Sequence, residues 1–442
     1  SGWLLLGVTG MGYLIGAKAF WIAFGELMGE FIAWTVLVRP FKAATDHYGS
    51  VTVPDYLESR FRDTRHVLRW ISAVVIVTMV VAYLSAQLTA TGKAFHSFLA
   101  WDKATGAVVG LVIVVIYTVA GGFRAVAWSD LLQGLMMVFG LVIVPIIAIF
   151  KLGGWGVMVE RLHAIDPALL TAWGAEDSVL IGLGAIVGLM GPGLGFLGSP
   201  QLFVRFIAVK SRRKLRAGAV IAVIFTILTD CGAVLSGMSG RALIGPLGDH
   251  EAVYPTLVNT LFGPVLTGLL VAVVLAAIMS TADSLLILST SAVVRDVYQK
   301  IFRPEAPQRV VVRLSQALII SIGILSLVFA IIALYVEGLV YWFVLFAWSG
   351  IAAAFCPVII LSLFYRKMNL KGAVAAMLVG ILTTIVWNLT LGWFLYEMVP
   401  AFAFSLVAGY VVSMLTSSPD DAKLMDGSQP SGISGRGIGD RV

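Results

Sequence analysis

Apolar residues in this chain come in runs of about 20 to 30, separated by short polar stretches. Runs of that length match an α-helix that crosses a bilayer, whereas a transmembrane barrel would show alternating segments of about ten residues. One partial span is expected at about 1–15. Eleven full spans follow at about 18–38, 67–94, 104–121, 126–150, 178–199, 214–243, 264–300, 310–334, 338–364, 371–391 and 397–416. The fold class read from this pattern is an all-α integral membrane bundle over residues 1–416. The stretch 417–442 is rich in Ser, Gly, Asp and Pro, cannot bury a core, and is expected to be a disordered tail. The chain opens on Ser1-Gly2-Trp3-Leu4-Leu5-Leu6, with no initiator Met, basic n-region or small-residue cleavage site. That is no signal peptide, and it reads as a chain cut inside its first transmembrane helix.

Composition agrees with this reading. Of 442 residues, 59% are hydrophobic and 12% charged, and the mean hydropathy is +0.97. Soluble domains carry about a quarter charged residues. Cys231 and Cys356 both fall in predicted spans and suggest neither a disulfide framework nor a metal motif. The histidines (His47, His66, His96, His163 and His250) fall in loops or at span ends, which argues against a histidine-based catalytic or metal centre in the membrane. Strict alternation of the spans places only Lys18, Lys93, Lys103, Lys151, Arg161 and Arg241 on one side, and the other 24 of the 30 Lys and Arg on the opposite side. By the positive-inside rule the C-terminus is expected in the cytoplasm. The net charge of +6 is therefore a topology signal, and no nucleic-acid motif accompanies it.

Two places read as broken helices. Gly188 to Pro200 contains Gly191-Pro192-Gly193, Gly195, Gly198 and Pro200, too many helix breakers for an unbroken span. The N-terminal stretch carries Gly2, Gly7, Gly10 and Gly12. Irregular backbone at membrane depth is tolerated where it lines a cavity, and breaks at matching positions of two halves mark the binding site of a secondary transporter. The second comes five spans after the first, a spacing that suits a five-plus-five inverted repeat.

The sharpest chemical signal lies in the run from about Val265 to Val294. Its middle reads Ala276-Ala277-Ile278-Met279-Ser280-Thr281-Ala282-Asp283-Ser284. A carboxylate at that depth is costly unless it faces a cavity, a partner or an ion. Ser280, Thr281, Asp283 and Ser284 stand at helical spacings that can converge oxygens on a small hard cation. The competing reading is that the hydroxyls bond back to carbonyls one turn earlier. Asp130, near the start of its span, reads equally as an ion ligand or a helix-dipole partner. Glu26, Glu30 and Asp230 also lie inside spans, with no role assigned. The Arg and Lys cluster at 205–216 reads as a solvated face.

Several segments resemble the sodium:solute symporter family, most closely its sodium/proline branch. They are Ser1-Gly2-Trp3-Leu4-Leu5, Val53-Pro54-Asp55-Tyr56-Leu57 with Arg60-Phe61, Tyr117 to Gly121-Gly122-Phe123, Trp128-Ser129-Asp130, and Leu275 to Ser284. The resemblance runs in order from residue 1 to about 416. The resemblance implies a leucine-transporter-like core of two inverted five-helix repeats with extra C-terminal helices, truncated here in the first core helix. It implies a main sodium site whose ligands on the eighth core helix are the Ala277 carbonyl and the Ser280 and Thr281 hydroxyls. The first-helix carbonyls of that site would precede Ser1. Some relatives use a second sodium, and the matching positions are Asp130, Ser280, Asp283 and Ser284.

Around the solute, the resemblance implies Trp3 from the first helix, Tyr83 from the third core helix, and Pro192, Phe196 and Pro200 from the broken sixth. Proline symporters carry Trp and Tyr where this chain has Pro192 and Phe196, and that exchange removes polar handles. The implied activity is sodium-driven symport of a small organic solute, proline or a related amino acid. Carboxylates, pantothenate-like solutes and sugar acids remain alternatives, as do proton coupling through Asp130 and Asp283 and a membrane-sensor role. The expected partners are the solute, Na+ and the lipid bilayer of the plasma (inner) membrane. No enzyme activity, nucleic acid or obligate protein partner is expected.

Overall fold

The computed structural model describes residues 1–209, 214–334, 339–392 and 394–416. The predicted tail 417–442, the basic residues Lys210, Arg212 and Arg213, and the side chains of Phe123 and Arg124 lie outside the described residues. Every regular element among the described residues is helical. Eleven stretches are long and apolar enough to cross a membrane.

The first of these, Trp3–Tyr48, is 46 residues long. As one straight helix it would measure about 69 Å at about 1.5 Å per residue, more than twice a hydrocarbon core of about 30 Å. It bends at Gly16, whose φ of 56° lies in the left-handed region that glycine adopts without strain. The bend separates α1 (Thr9–Ile15) from α2 (Phe20–Ile32) and α3 (Val38–Tyr48), and so yields two limbs at the predicted 1–15 and 18–38.

The glycine-rich N-terminal stretch departs from expectation. Trp3–Val8 is wound as a wider π-type helix, and the caps at Gly2, Val8 and Thr9 are all right-handed helical, so no break occurs at Gly2 to Gly12. These glycines serve close packing instead. A Cβ on Gly12 would collide with the Val234 backbone carbonyl, and one on Gly7 would press on the Tyr341 ring.

After the short α4 (Val53–Phe61) comes α5 (Val67–Leu99), a central helix with most of its residues buried. The 50-residue α6 (Lys103–Leu152) breaks at Gly122 (φ 58°, ψ −166°), which gives the two predicted limbs. Helix α7 (Trp155–Ile165) is peripheral, while α8 (Val179–Met190) and α9 (Pro200–Ala208) flank the predicted break. Between them Gly191–Leu197 tightens into a 3₁₀ turn, and Ser199 is extended. The remaining α-helices are α10 (Lys214–Ile244), α11 (Val253–Leu261), α12 (Pro264–Thr290), α13 (Gln308–Ala333), α14 (Leu339–Phe364), α15 (Leu370–Thr390) and α16 (Met398–Thr416), and a π-type stretch, Ser291–Phe302, continues α12.

Packing places the broken segment at the centre. Gly191–Leu197 lies against α2 and α14, and α12 lies against α5 and α6. The approach to α2 leaves no room for side chains: a Cβ on Gly29 would strike the Gly193 carbonyl, and one on Gly193 the Gly25 carbonyl. The two ends of the bundle carry different ion pairs. At the basic-poor end Lys18 pairs with Glu176 (2.8 Å), and Lys93 with Glu251 (2.6 Å) and Asp249 (3.0 Å). At the basic-rich end the buried Arg69 gathers Asp55, Glu58 and Asp296.

Candidate cation and solute site

On α12 the Ser280 Oγ donates to the Ala277 carbonyl at 3.0 Å, and Thr281 Oγ1 lies 3.5 Å from the same oxygen. Both hydroxyls thus bond back along their own helix, as isolated membrane hydroxyls do. The bonds use the hydroxyl protons and leave oxygen lone pairs available, so three neutral oxygens stand together beside a fully buried alanine. The first residues of the chain run alongside. A Cβ on Gly2 would touch Ile278 and Ala90 at 3.0 Å, and the Gly2 amide donates to Gln87 Oε1 at 2.9 Å.

One turn further, the structure brings together the other three expected positions, Asp130, Asp283 and Ser284, with two residues that were not expected. Asp283 is fully buried, and the Tyr117 hydroxyl lies 2.9 Å from its Oδ2 and 3.0 Å from the Met279 carbonyl. Ser284 Oγ donates to the Ser280 carbonyl at 2.9 Å. Arg205, on α9, donates through Nη2 to Asp130 Oδ2 and to Ser284 Oγ, both at 2.7 Å. The guanidinium therefore stands between Asp130 and Ser284. Arg205 is 47% exposed, as the solvated-face reading expects, and from that face its guanidinium reaches Asp130 on α6 and Ser284 on α12. Tyr117 could have been found from its place in the Gly121-Gly122 segment. Arg205 gave no local signal.

Of the five solute candidates, Pro200 is set apart from Trp3, Tyr83, Pro192 and Phe196 by the cavity that it lines. Trp3 stacks on Tyr341 with ring centroids 5.9 Å apart, and its Nε1 is buried without a partner among the described residues. Tyr83 is buried on α5. Phe196 meets Trp348 edge-on at 5.8 Å, and the Trp348 indole donates to the Pro192 carbonyl at 2.9 Å. Pro200 lies apart from these. It lines a cavity of about 840 Å³ at the basic-rich end, together with Asp130, Arg205, Ser284 and Asp296. Tyr341 and Trp348, both on α14, were absent from the expected set because nothing in α14's apolar pattern distinguishes them from packing residues.

The three remaining carboxylates are accounted for in part. Glu30 accepts from Thr226 Oγ1 at 2.6 Å, and Glu26 faces Asp230 across α2 and α10. No basic side chain pairs with any of the three among the described residues.

Comparison with known proteins decides the family. The sequence profile of the sodium:solute symporter family matches residues 1–380. The chain belongs to the sodium:solute symporter family. Among its relatives is the high-affinity proline transporter PutP of Bacillus subtilis (strain 168), 37% identical over 96% of this chain and 89% of the relative. Another is the sodium/proline symporter of Escherichia coli (strain K12), 34% identical over 96% of this chain and 84% of the relative. In structure the symporter resembles a Na+-coupled sialic acid symporter in a substrate-bound outward-open state. The TM-score is 0.74 at 18% identity, covering 94% of this chain and 87% of that one. It also resembles MhsT in complex with L-phenylalanine, at a TM-score of 0.53 and 14% identity over 95% and 98% of the two chains. These likenesses are ones of fold, the helical bundle with a broken central helix expected from the sequence.

Proposed function

We propose that this symporter imports proline, or a closely related amino acid, driven by sodium. The observation that carries the reading is the run of 37% and 34% identity to proline transporters along 96% of the chain. The chemistry of α12 supports it. The Ala277 carbonyl with the Ser280 and Thr281 hydroxyls offers neutral oxygen ligands suited to a hard monovalent cation. Moving one charge through 100 mV supplies about 2.3 kcal/mol, which is available to drive solute uphill.

In this reading transport alternates access. The cavity at the basic-rich end is the way to the cytoplasm, and the Lys93 pairs with the Trp3–Tyr341 stack close the outside. The protein is a multi-pass membrane protein. Its placement in the plasma membrane with a cytoplasmic C-terminus rests on the skew of basic residues. The solute is taken to lie among Trp3, Tyr83, Pro192 and Phe196. Asp130, Asp283 and Ser284 are taken as a second ion position that Arg205 shares. No covalent step is needed.

The test is uptake of radiolabelled proline into proteoliposomes at fixed pH, with an inward sodium gradient and with potassium in its place. Uptake that requires sodium and is competed by unlabelled proline upholds the reading. Uptake that survives removal of sodium overturns the coupling, and failure of proline to compete against a panel of amino acids overturns the solute.

A further inference from the structure

The two C-terminal helices α15 and α16 lie outside the ten-helix core that the family resemblance implies, yet the loop between them enters it. Residues Phe394 to Val399 run along one face of α8. Gly184, Gly188 and Gly191 are spaced as neighbours on that face. A Cβ on Gly184 would come within 3.9 Å of the Phe394 carbonyl, and one on Gly188 within 3.6 Å of Tyr396 Cβ. A Cβ on Gly191 would meet the Tyr396 ring at 2.5 Å, closer than real contacts allow. The loop is fixed from its other side, where the Trp387 indole donates to the Leu395 carbonyl at 3.0 Å.

Tyr396 then reaches across the break. Its ring packs on Gly191, where α8 ends, and its hydroxyl donates to the Leu345 carbonyl of α14 at 3.0 Å. The same hydroxyl accepts from Ser349 Oγ at 2.7 Å, and Glu397 Oε1 lies 3.1 Å from that serine. Leu345 and Ser349 flank Trp348 on one face of α14. Trp348 is the residue whose indole holds the Pro192 carbonyl and whose ring meets Phe196. The accessory loop thus touches the broken helix with one part of a side chain and the turn that carries its neighbour with another. Both partners are buried, and Tyr396 is only 7% exposed.

We propose that Tyr396 is a positioning residue for solute binding: carried on the α15–α16 loop, it fixes the broken helix Gly188–Pro200 against α14 and so sets how tightly Pro192, Phe196 and Trp348 close on the solute. This rests on the proposed solute reading for its consequence, but its mechanical part can be measured without any solute. Cys356 is the reporter. It is fully buried on α14, its Sγ is 3.5 Å from the Gly195 carbonyl, and a Cβ on Gly198 would meet its Cα at 2.8 Å. If the break loosens from α14, this thiol becomes accessible.

The experiment uses the full chain in proteoliposomes, with Cys231→Ser so that Cys356 is the one thiol. Tyr396→Phe keeps the ring and removes the hydroxyl, while Ser349→Ala removes its partner from the α14 side. Losing the Ser349–Tyr396 bond predicts a rise in solute KM of about three- to ten-fold in Ser349→Ala, and at least as large a rise in Tyr396→Phe, which also loses the bond to Leu345, with turnover and half-activating sodium little changed. The double variant should be no worse than the more affected single, because both act through one network. N-ethylmaleimide should label Cys356 faster in both variants than in the parent. An unchanged KM in Tyr396→Phe, or a fall in turnover with KM intact, overturns the positioning role. Equal labelling rates overturn the clamp itself. If the parent shows no sodium-driven proline uptake, the proposed function fails on its own, and the labelling rates alone then judge the clamp.

Discussion

One turn of α12 separates two groups of oxygen atoms that treat positive charge differently. Ala277, Ser280 and Thr281 offer a carbonyl and two hydroxyls, all neutral, and no basic side chain reaches them among the described residues. Asp283 and Ser284, with Asp130 from α6, offer carboxylates, and there Arg205 and Tyr117 already supply donors. A neutral cluster costs little to leave without a cation, because each hydroxyl can bond back along its helix until one arrives. A carboxylate cluster costs far more to leave uncompensated in a membrane interior. The contrast suggests a division of labour. The first group can fill and empty with sodium in each cycle, whereas the second keeps a tethered cation that sodium must displace or work beside.

The largest effect should come from breaking the neutral group. Ser280→Ala and Thr281→Ala each remove one ligand from a bare cation. A hydrogen bond to a charged group is worth about 1.5–3 kcal/mol, and an oxygen ligand is taken as comparable. The half-activating sodium concentration should therefore rise roughly ten- to a hundred-fold, measured as proline uptake against sodium. A flat response in both variants would remove α12 from the main site. Breaking the other group should do less and act differently. Arg205→Gln releases Asp130 and Ser284, so sodium activation should shift several-fold and steepen, its Hill coefficient rising towards two. An unchanged curve would mean that the guanidinium and sodium do not share the position. Tyr117→Phe removes only the donor facing Asp283 and should move the same curve by about three-fold, within the range for one neutral hydrogen bond.

What the sequence revealed about these two groups follows from the range of the interactions. The span pattern, the break at Gly191 to Pro200 and the polar centre of α12 are local features, carried by neighbouring residues, and all were readable. Arg205 and Asp130 are 75 residues apart, and Tyr117 and Asp283 are 166 apart. No periodicity links such pairs, so the guanidinium in the carboxylate group could not be read. The N-terminal glycines misled for a related reason. Glycine marks both a break and a close approach, and Gly12 serves the second through Val234, a partner far along the chain. Gly16, four residues on, serves the first.

The smallest effect on transport should come from a third cluster, which tests whether the buried guanidinium of Arg69 would behave as the more exposed one of Arg205 does. Arg69 pairs with Asp55 and Asp296 as well as Glu58, and Thr52 donates to Asp296 at 2.8 Å. These bonds staple α4 to α5 and to the π-type stretch Ser291–Phe302 that continues α12, and none involves an α12 residue of either oxygen group. Burial pushes the Asp55 carboxyl up, but the bond and charge of Arg69 outweigh it and hold the group below the usual carboxylate range. A depressed folded value means stability that is fully present above the unfolded pKa of about 4 and is lost as pH falls through the lower folded value. Asp55→Asn should therefore lower the melting temperature in detergent at pH 7 by a few degrees and reduce its further fall on acidification below about pH 4. The sodium curve of the same variant should stay within two-fold of the parent. A large shift there would mean that the Arg69 staple belongs to the ion path after all, and that the two oxygen groups of α12 do not bound it.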